Sequence, residues 1–140
     1  MKPINKMKIE FWSISANESF ARVVAASFAA QLNPSINILA DIRTAVSEAV
    51  TNAILHGYPD EQGIVQMECT LYPEHIEIVI QDFGKGIDDI EKARIPLYTS
   101  RPELERSGMG FTVMETFMDS LEVQSEPNKG TKVIMTKRLI

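Results

Sequence analysis

The run from Ser35 to Gly57 restricts the fold more than any other part of the chain. Ile38, Leu39, Ile42, Ala45, Val46, Ala49, Val50, Ala53 and Ile54 recur at three- and four-residue steps, which predicts a helix of more than four turns with one broad apolar stripe. Ser35 is placed to cap its start and Gly57 to end it. Such a stripe must be buried against another layer. The next residues supply one: Val65, Met67, Cys69 and Leu71 alternate with Gln66, Glu68 and Thr70, and beyond Pro73-Glu74-His75 the residues Ile76, Ile78 and Ile80 alternate up to Asp82. That is a pair of half-buried strands joined by a tight turn.

Earlier in the chain, Met7 to Trp12 reads as a first strand and Ser15-Ala-Asn-Glu18 has capping-box spacing. The helix it would open carries Phe20, Val23, Val24, Phe28 and Leu32 as its expected buried stripe and stops at Asn33-Pro34. Residues 84–107 show no sustained period, many charges and two prolines, and read as a mobile cover over a site rather than a packed element. Helical spacing resumes at Phe111, Met114, Phe117 and Met118, where the methionine-rich stripe is expected to be core. Leu121 to Ser125, the turn Pro127 to Gly130 and Thr131 to Leu139 form a terminal hairpin. The order strand, helix, helix, strand, strand, cover, helix, strand, strand predicts an α/β chain of the α+β two-layer sandwich type, its mixed but mostly antiparallel sheet carrying helices on one face. A doubly wound parallel fold is disfavoured.

At 140 residues the chain is expected to form a single domain over 1–140. A mean hydropathy of -0.07 and the lack of a long apolar run argue against a membrane span, and the polar N-terminus does not resemble a signal peptide, so the cytoplasm is the expected location. A net charge of -5 disfavours a nucleic-acid partner, since phosphate backbones are held by clustered Lys and Arg. The single cysteine, Cys69, falls on the alternating run and is expected to be a small core residue; it can form no disulfide within the chain.

Three segments carry candidate chemistry. Glu48 and Asn52 are one helical turn apart and point the same way, at the border of the apolar stripe. The amide oxygen of Asn52 is a hard ligand suited to Mg²⁺, and Glu48 becomes a competent base if partly desolvated. Asp82 ends an isoleucine-rich strand, where a carboxylate needs a partner, and an acceptor there would favour the amino group of adenine over the carbonyl of guanine. Gly84 and Gly86 let the chain bend close to a ligand. Gly108-Met109-Gly110 precedes a helix, whose first amides and positive dipole end suit phosphate. Each segment alone is commonplace; together, in this order, they supply what Mg·ATP requires. His56 and His75 lack metal-ligand companions and are read as structural and as surface, respectively.

These motifs resemble the ATP site shared by DNA gyrase B, Hsp90, bacterial histidine kinases and MutL. Glu48 to Asn52 with His56-Gly57 matches that superfamily's asparagine box, Asp82-X-Gly84-X-Gly86 its first glycine box, Gly108-X-Gly110 its second, and Thr131 its distal threonine near the adenine pocket. The resemblance implies a Bergerat-type ATP-binding fold with a lid at about residues 84–107, and ATP/ADP and Mg²⁺ as ligands. Over nearly its whole length, at Asn17 to Arg22, Val46 to Ala53 and Pro102 to Phe111, the chain is similar to the anti-sigma F factors of spore-forming bacteria. That likeness implies a homodimeric protein serine/threonine kinase that sequesters a sigma factor of RNA polymerase and phosphorylates an anti-anti-sigma protein on serine. Within it, Glu48 would be the base, Arg106 would reach the γ-phosphate, Thr99 and Ser100 would touch phosphate, and Arg22 would meet a protein partner. Ile9, Phe11 and Ile14 are the candidate dimer surface. Three alternatives are an anti-sigma B-type stress-response kinase, a binding module without phosphotransfer and a detached histidine-kinase catalytic domain.

Overall fold

A computed structural model describes residues 2–95 and 110–140. The periodic run folds as helix α2 (Ile36–Asn52), with the Ser35 hydroxyl accepting the Ile38 amide at 3.2 Å and Ile42, Ala45, Val46, Ala49 and Val50 buried along one face. The chain then widens into a π turn over Ala53–Gly57 instead of finishing as regular helix. Strand β1 (Asn5–Trp12) and helix α1 (Ala16–Ala29) precede it; β2 (Ile64–Leu71), β3 (His75–Asp82), a one-turn helix α3 (Ile90–Ala93), α4 (Gly110–Phe117), β4 (Ser120–Glu126) and β5 (Gly130–Arg138) follow.

The five strands form one sheet in the order β1-β2-β3-β5-β4, and every neighbouring pair is antiparallel. The expected mostly antiparallel sheet is found, with no parallel pair among the described strands. The reason is topological. After β3 the chain passes through α3 and α4 to β4, and β5 then hairpins back into the gap between β3 and β4, so the two strands that a crossover would make parallel are never neighbours.

Registration aligns side chains in rows across the core face. Ile9, Met67, Ile80, Val133 and Val123 make one row, and Phe11, Val65, Asp82, Thr131 and Ser125 the next. Met67, Cys69, Ile76, Ile78, Ile80 and Met135 are essentially solvent-free and belong to one core with the buried faces of α1, α2 and α4. The core role expected for the methionine stripe holds at Met114 and Met118. Cys69 is buried as expected, and desolvation pushes its thiol up to about 12, which leaves it unreactive. Of the three candidate dimer residues, Phe11 is buried in this core, Ile9 is half-buried against it and Ile14 is 44% exposed.

Helix α1 departs from its sequence reading in two ways. Ser15 has helical dihedrals and makes no side-chain cap, while Glu18 pairs with Arg22 at 3.2 Å, so the capping box does not form; the Asn17 amide instead donates to the Trp12 carbonyl at 2.9 Å. The buried line is Ala21, Ala25 and Ala29, each fully enclosed, with Val24, Phe28 and Leu32 flanking it and Phe20 and Val23 more than half exposed. Small residues won the inner face because α1 packs chiefly on α2, where an alanine stripe meets another alanine-rich stripe and the axes can approach closely. The described part of the cover segment, residues 84–95, makes specific contacts. Asp89 caps α3 through the Lys92 amide at 3.1 Å, Ile87 and Ala93 pack on the core, and Arg94 pairs with Glu115 of α4.

Ala25→Leu is expected to cost about 1–3 kcal/mol through overpacking. Val23→Ser on the opposite side should cost less than about 0.5 kcal/mol. Urea unfolding of both variants checks the assignment of the two faces.

Candidate functional site

The row that begins with Phe11 and Val65 turns polar at Asp82, Thr131 and Ser125, and this polar end of the sheet lies against the π turn that ends α2. Asp82 is 4% exposed. A β-carbon on Gly57 would sit 2.7 Å from its carboxyl carbon, and one on Gly84 would fall 1.9 Å from the Gly57 carbonyl, so helix end, strand end and glycine turn are in direct backbone contact. The turn is held from both sides: Lys85 donates its amide to the Gly57 carbonyl at 2.8 Å, and Asn128 of the β4–β5 hairpin donates to the Lys85 carbonyl at 2.7 Å. Gly86 and Gly130 have φ of 78° and 109°, the left-handed region that only glycine enters freely.

Burial raises the Asp82 carboxyl to about 6, and the backbone N–H groups of Gly84 and Thr131 limit the rise. Gly84 donates to its Oδ1 at 3.0 Å. Tyr58, buried beside it, donates its hydroxyl to the Ile64 carbonyl and accepts the Phe83 amide, both at 2.7 Å; desolvation pushes that phenol up as well.

A cavity of about 340 Å³ opens from this point. Ile80 and Val133 form its apolar floor together with Ala49, Ala53 and Phe111, while Asp82 and Thr131 stand at the polar end. Pockets of roughly 300–1,000 Å³ that are mostly apolar with a few converging polar groups are typical small-ligand sites. Asn52 lines the wall from α2, and Gly110, the first residue of α4, packs so closely on it that a β-carbon would lie 2.9 Å from its amide nitrogen. That contact seats the Asn52 amide at the cavity wall. Lys85 and Lys92 also line the cavity, together with Asp88 and Asp89 of the same segment.

Of the residues singled out from sequence, Asn52, Asp82, Gly86, Gly110 and Thr131 meet at this one cavity, and Gly84 supports it through Gly57. His56, read as structural, also lines it. Glu48 does not; it is half-buried one turn before Asn52 on α2. Arg22 lies on α1, away from the cavity lining. Thr99, Ser100, Arg106, Gly108 and Met109 lie outside the described residues. His75 opens β3 and stacks on Tyr72 with ring centroids 4.6 Å apart. Sequence reasoning missed Tyr58, Lys85, Lys92 and Ser125. Lys85 stood between two noted glycines and was the most recoverable; a lone Tyr after a helix and a Ser within a strand carry no signal of their own.

The donor set fits Mg²⁺ only with help from a ligand. Among the described residues no three His, Cys, Asp or Glu side chains are grouped to hold a metal, so a Mg²⁺ at the Asn52 amide oxygen would complete its octahedron with phosphate and water.

Residues 12–137 match the histidine kinase-like ATPase domain family. The chain is similar to the anti-sigma F factor of Clostridium perfringens, 62% identical over 96% of this chain and 97% of that protein. It is 59% identical to the anti-sigma F factor of Clostridium novyi, covering 96% and 95% of the two chains, and 60% identical to that of Oceanobacillus iheyensis, covering 96% and 93%. The crystal structure of the RsbU and RsbW domains of a Mycobacterium tuberculosis protein has the same fold, with a TM-score of 0.70 at 18% identity; the match spans 98% of this chain and 33% of that longer one. No helix among the described residues is long and apolar enough to cross a membrane.

The raised Asp82 carboxyl fixes the sign of a pH effect. Between its ordinary value of 3.8 and the folded value of about 6 the native state binds more protons than the unfolded chain, so this group's contribution to stability falls as pH rises through that window and stays lowered above it. Asp82→Asn is expected to remove this slope and to stabilise the ligand-free protein at neutral pH by on the order of 2 kcal/mol. Urea unfolding of both proteins at pH 4 and pH 7.5 checks it: the variant's gain should be present at the higher pH and vanish at the lower.

Proposed function

This chain belongs to the anti-sigma F factor family and carries a histidine kinase-like ATPase domain, and from that premise we propose that it binds a sigma factor of RNA polymerase and, with Mg·ATP in its cavity, phosphorylates an anti-anti-sigma protein on serine. The observation that carries the reading is the meeting of Asn52, Asp82, Gly86, Gly110 and Thr131, drawn from separate segments, at one cavity. A purine fits between the Ile80 and Val133 floor and the polar end, with the ionised Asp82 accepting from its exocyclic amine. The helix start at Gly110 and the ammonium groups of Lys85 and Lys92 favour phosphate. Asn52 would hold Mg²⁺, which neutralises phosphate charge when bound.

Glu48 is assigned the proton of the incoming serine hydroxyl: as that O–H bond gives its proton to the carboxylate, the serine oxygen bonds the γ-phosphorus, the bond to the bridging oxygen breaks and ADP leaves. Glu48 is half-buried on α2, one turn before Asn52. Arg106, Thr99, Ser100, Gly108 and Met109 keep their sequence-based assignments to the phosphates. A homodimer acting in the cytoplasm of a sporulating cell completes the proposal.

Arg22 is the candidate contact for a protein partner. Its side chain is 41% exposed while paired with Glu18, and Phe20 and Val23 beside it are open. Arginines are enriched among the residues whose truncation costs a protein interface most.

Glu48→Gln should retain Mg·ATP binding within about threefold while lowering serine phosphorylation by about 10²-fold or more. The assay is transfer from labelled ATP to an anti-anti-sigma protein, and the product should be acid-stable phosphoserine; an acid-labile product would mean a histidine kinase, and binding without transfer by the unmodified protein a passive module. Arg22→Ala should weaken sigma factor or anti-anti-sigma binding by about tenfold or more at saturating nucleotide, with ATP affinity unchanged. Equal affinity of both proteins for both partners in titration calorimetry would move the contact elsewhere.

A further inference from the structure

Ser125 stands on β4 behind Thr131, and its hydroxyl touches three polar atoms: the Ile87 amide at 2.7 Å, the Gly130 carbonyl at 2.9 Å and the Thr131 hydroxyl at 2.9 Å. A serine hydroxyl has one proton and two lone pairs. The Ile87 N–H can only donate, so it occupies one lone pair. The Gly130 carbonyl can only accept, so it takes the proton. One lone pair remains for Thr131, whose hydroxyl must then donate its single proton to Ser125. Thr131 is left with lone pairs alone to offer the cavity that it lines. Its partner in the row is Asp82, which when ionised is also an acceptor only.

We propose that Ser125 is a specificity-positioning residue: by fixing Thr131 as an acceptor, it makes the polar end of the cavity a pair of acceptors that selects the amino edge of adenine over the carbonyl edge of guanine. The selection operates where the Thr131 hydroxyl meets the base edge directly. This rests on the reading of the cavity as a nucleoside triphosphate site. Without Ser125 the Thr131 proton is released, and a hydroxyl free to donate can meet the guanine carbonyl.

The test is competition binding of ATP and GTP, with thermal melting alongside, for the unmodified protein, Ser125→Ala, Ser125→Thr, Thr131→Val and the Ser125→Ala/Thr131→Val double variant. Ser125→Ala is expected to lower the ATP-over-GTP affinity ratio by about tenfold, the scale of one hydrogen bond reversed in sense. Ser125→Thr should restore it, and Ser125→Ala should change nothing further once Thr131 is Val, because the effect passes through that hydroxyl. An unchanged ratio with both affinities and the melting temperature lowered would make Ser125 only an anchor for Ile87 and overturn the proposal, as would a full additional drop in the double variant. If Ser125→Ala does not fold, Ser125→Cys, which keeps the shape with poor hydrogen bonding, must lower the ratio instead; an unchanged ratio there overturns it equally. Binding of both nucleotides without preference by the unmodified protein would remove the Ser125 role and leave the nucleotide site standing, whereas binding of neither would remove both.

Discussion

A carboxylate sealed at the end of an isoleucine-lined sheet is the constraint around which this molecule is arranged. Asp82 is buried with two backbone N–H groups as its compensation, and its carboxyl is pushed up because that compensation is incomplete. The packing that achieves this is backbone against backbone. Gly57 and Gly84 leave no room for a β-carbon, and neither does Gly130, where one would lie 2.0 Å from the Asp82 carbonyl. Three segments far apart in sequence are thus pinned to one residue. Desolvation outweighs those two hydrogen bonds, so the carboxylate is held less favourably in the fold than in the open chain.

The helix α2, the strand pair β2–β3 and the terminal hairpin were legible because each has a single dominant period, and a period is a direct image of which side is buried. Helix α1 was misread where that image fails. Phe20 and Val23 sit at helical spacing with the half-buried Val24 and Phe28, yet the enclosed line on the helix that packs on α2 is alanine. Size complementarity between two helices cannot be read from either one. The capping box failed for a related reason: Glu18 had a competing partner in Arg22, and Ser15 entered the helix instead of preceding it.

At the site, Asn52, Asp82 and the glycines were recognisable as a set through their order and spacing, each segment alone being commonplace. A carboxylate ending a run of isoleucines is the one local anomaly among them. Tyr58 and Ser125 are anomalous only in three dimensions. The Tyr58 hydroxyl bridges the Ile64 carbonyl and the Phe83 amide, and this joins the segment after α2 to the end of β3; nothing in the neighbouring residues announces that bridge.

Insertion of β5 between β3 and β4 explains why the polar row exists at all. Were β4 the neighbour of β3, Asp82 would face a residue chosen for the hairpin edge; with β5 between them, Thr131 lies directly across from Asp82 and Ser125 directly across from Thr131. The row is then a relay of hydrogen-bond sense from the sheet edge inward, and its outermost member is also bonded to Ile87, where the chain leaves the glycine turn toward α3. The donor and acceptor pattern offered to a ligand and the anchoring of the segment that flanks the cavity therefore share one hydroxyl.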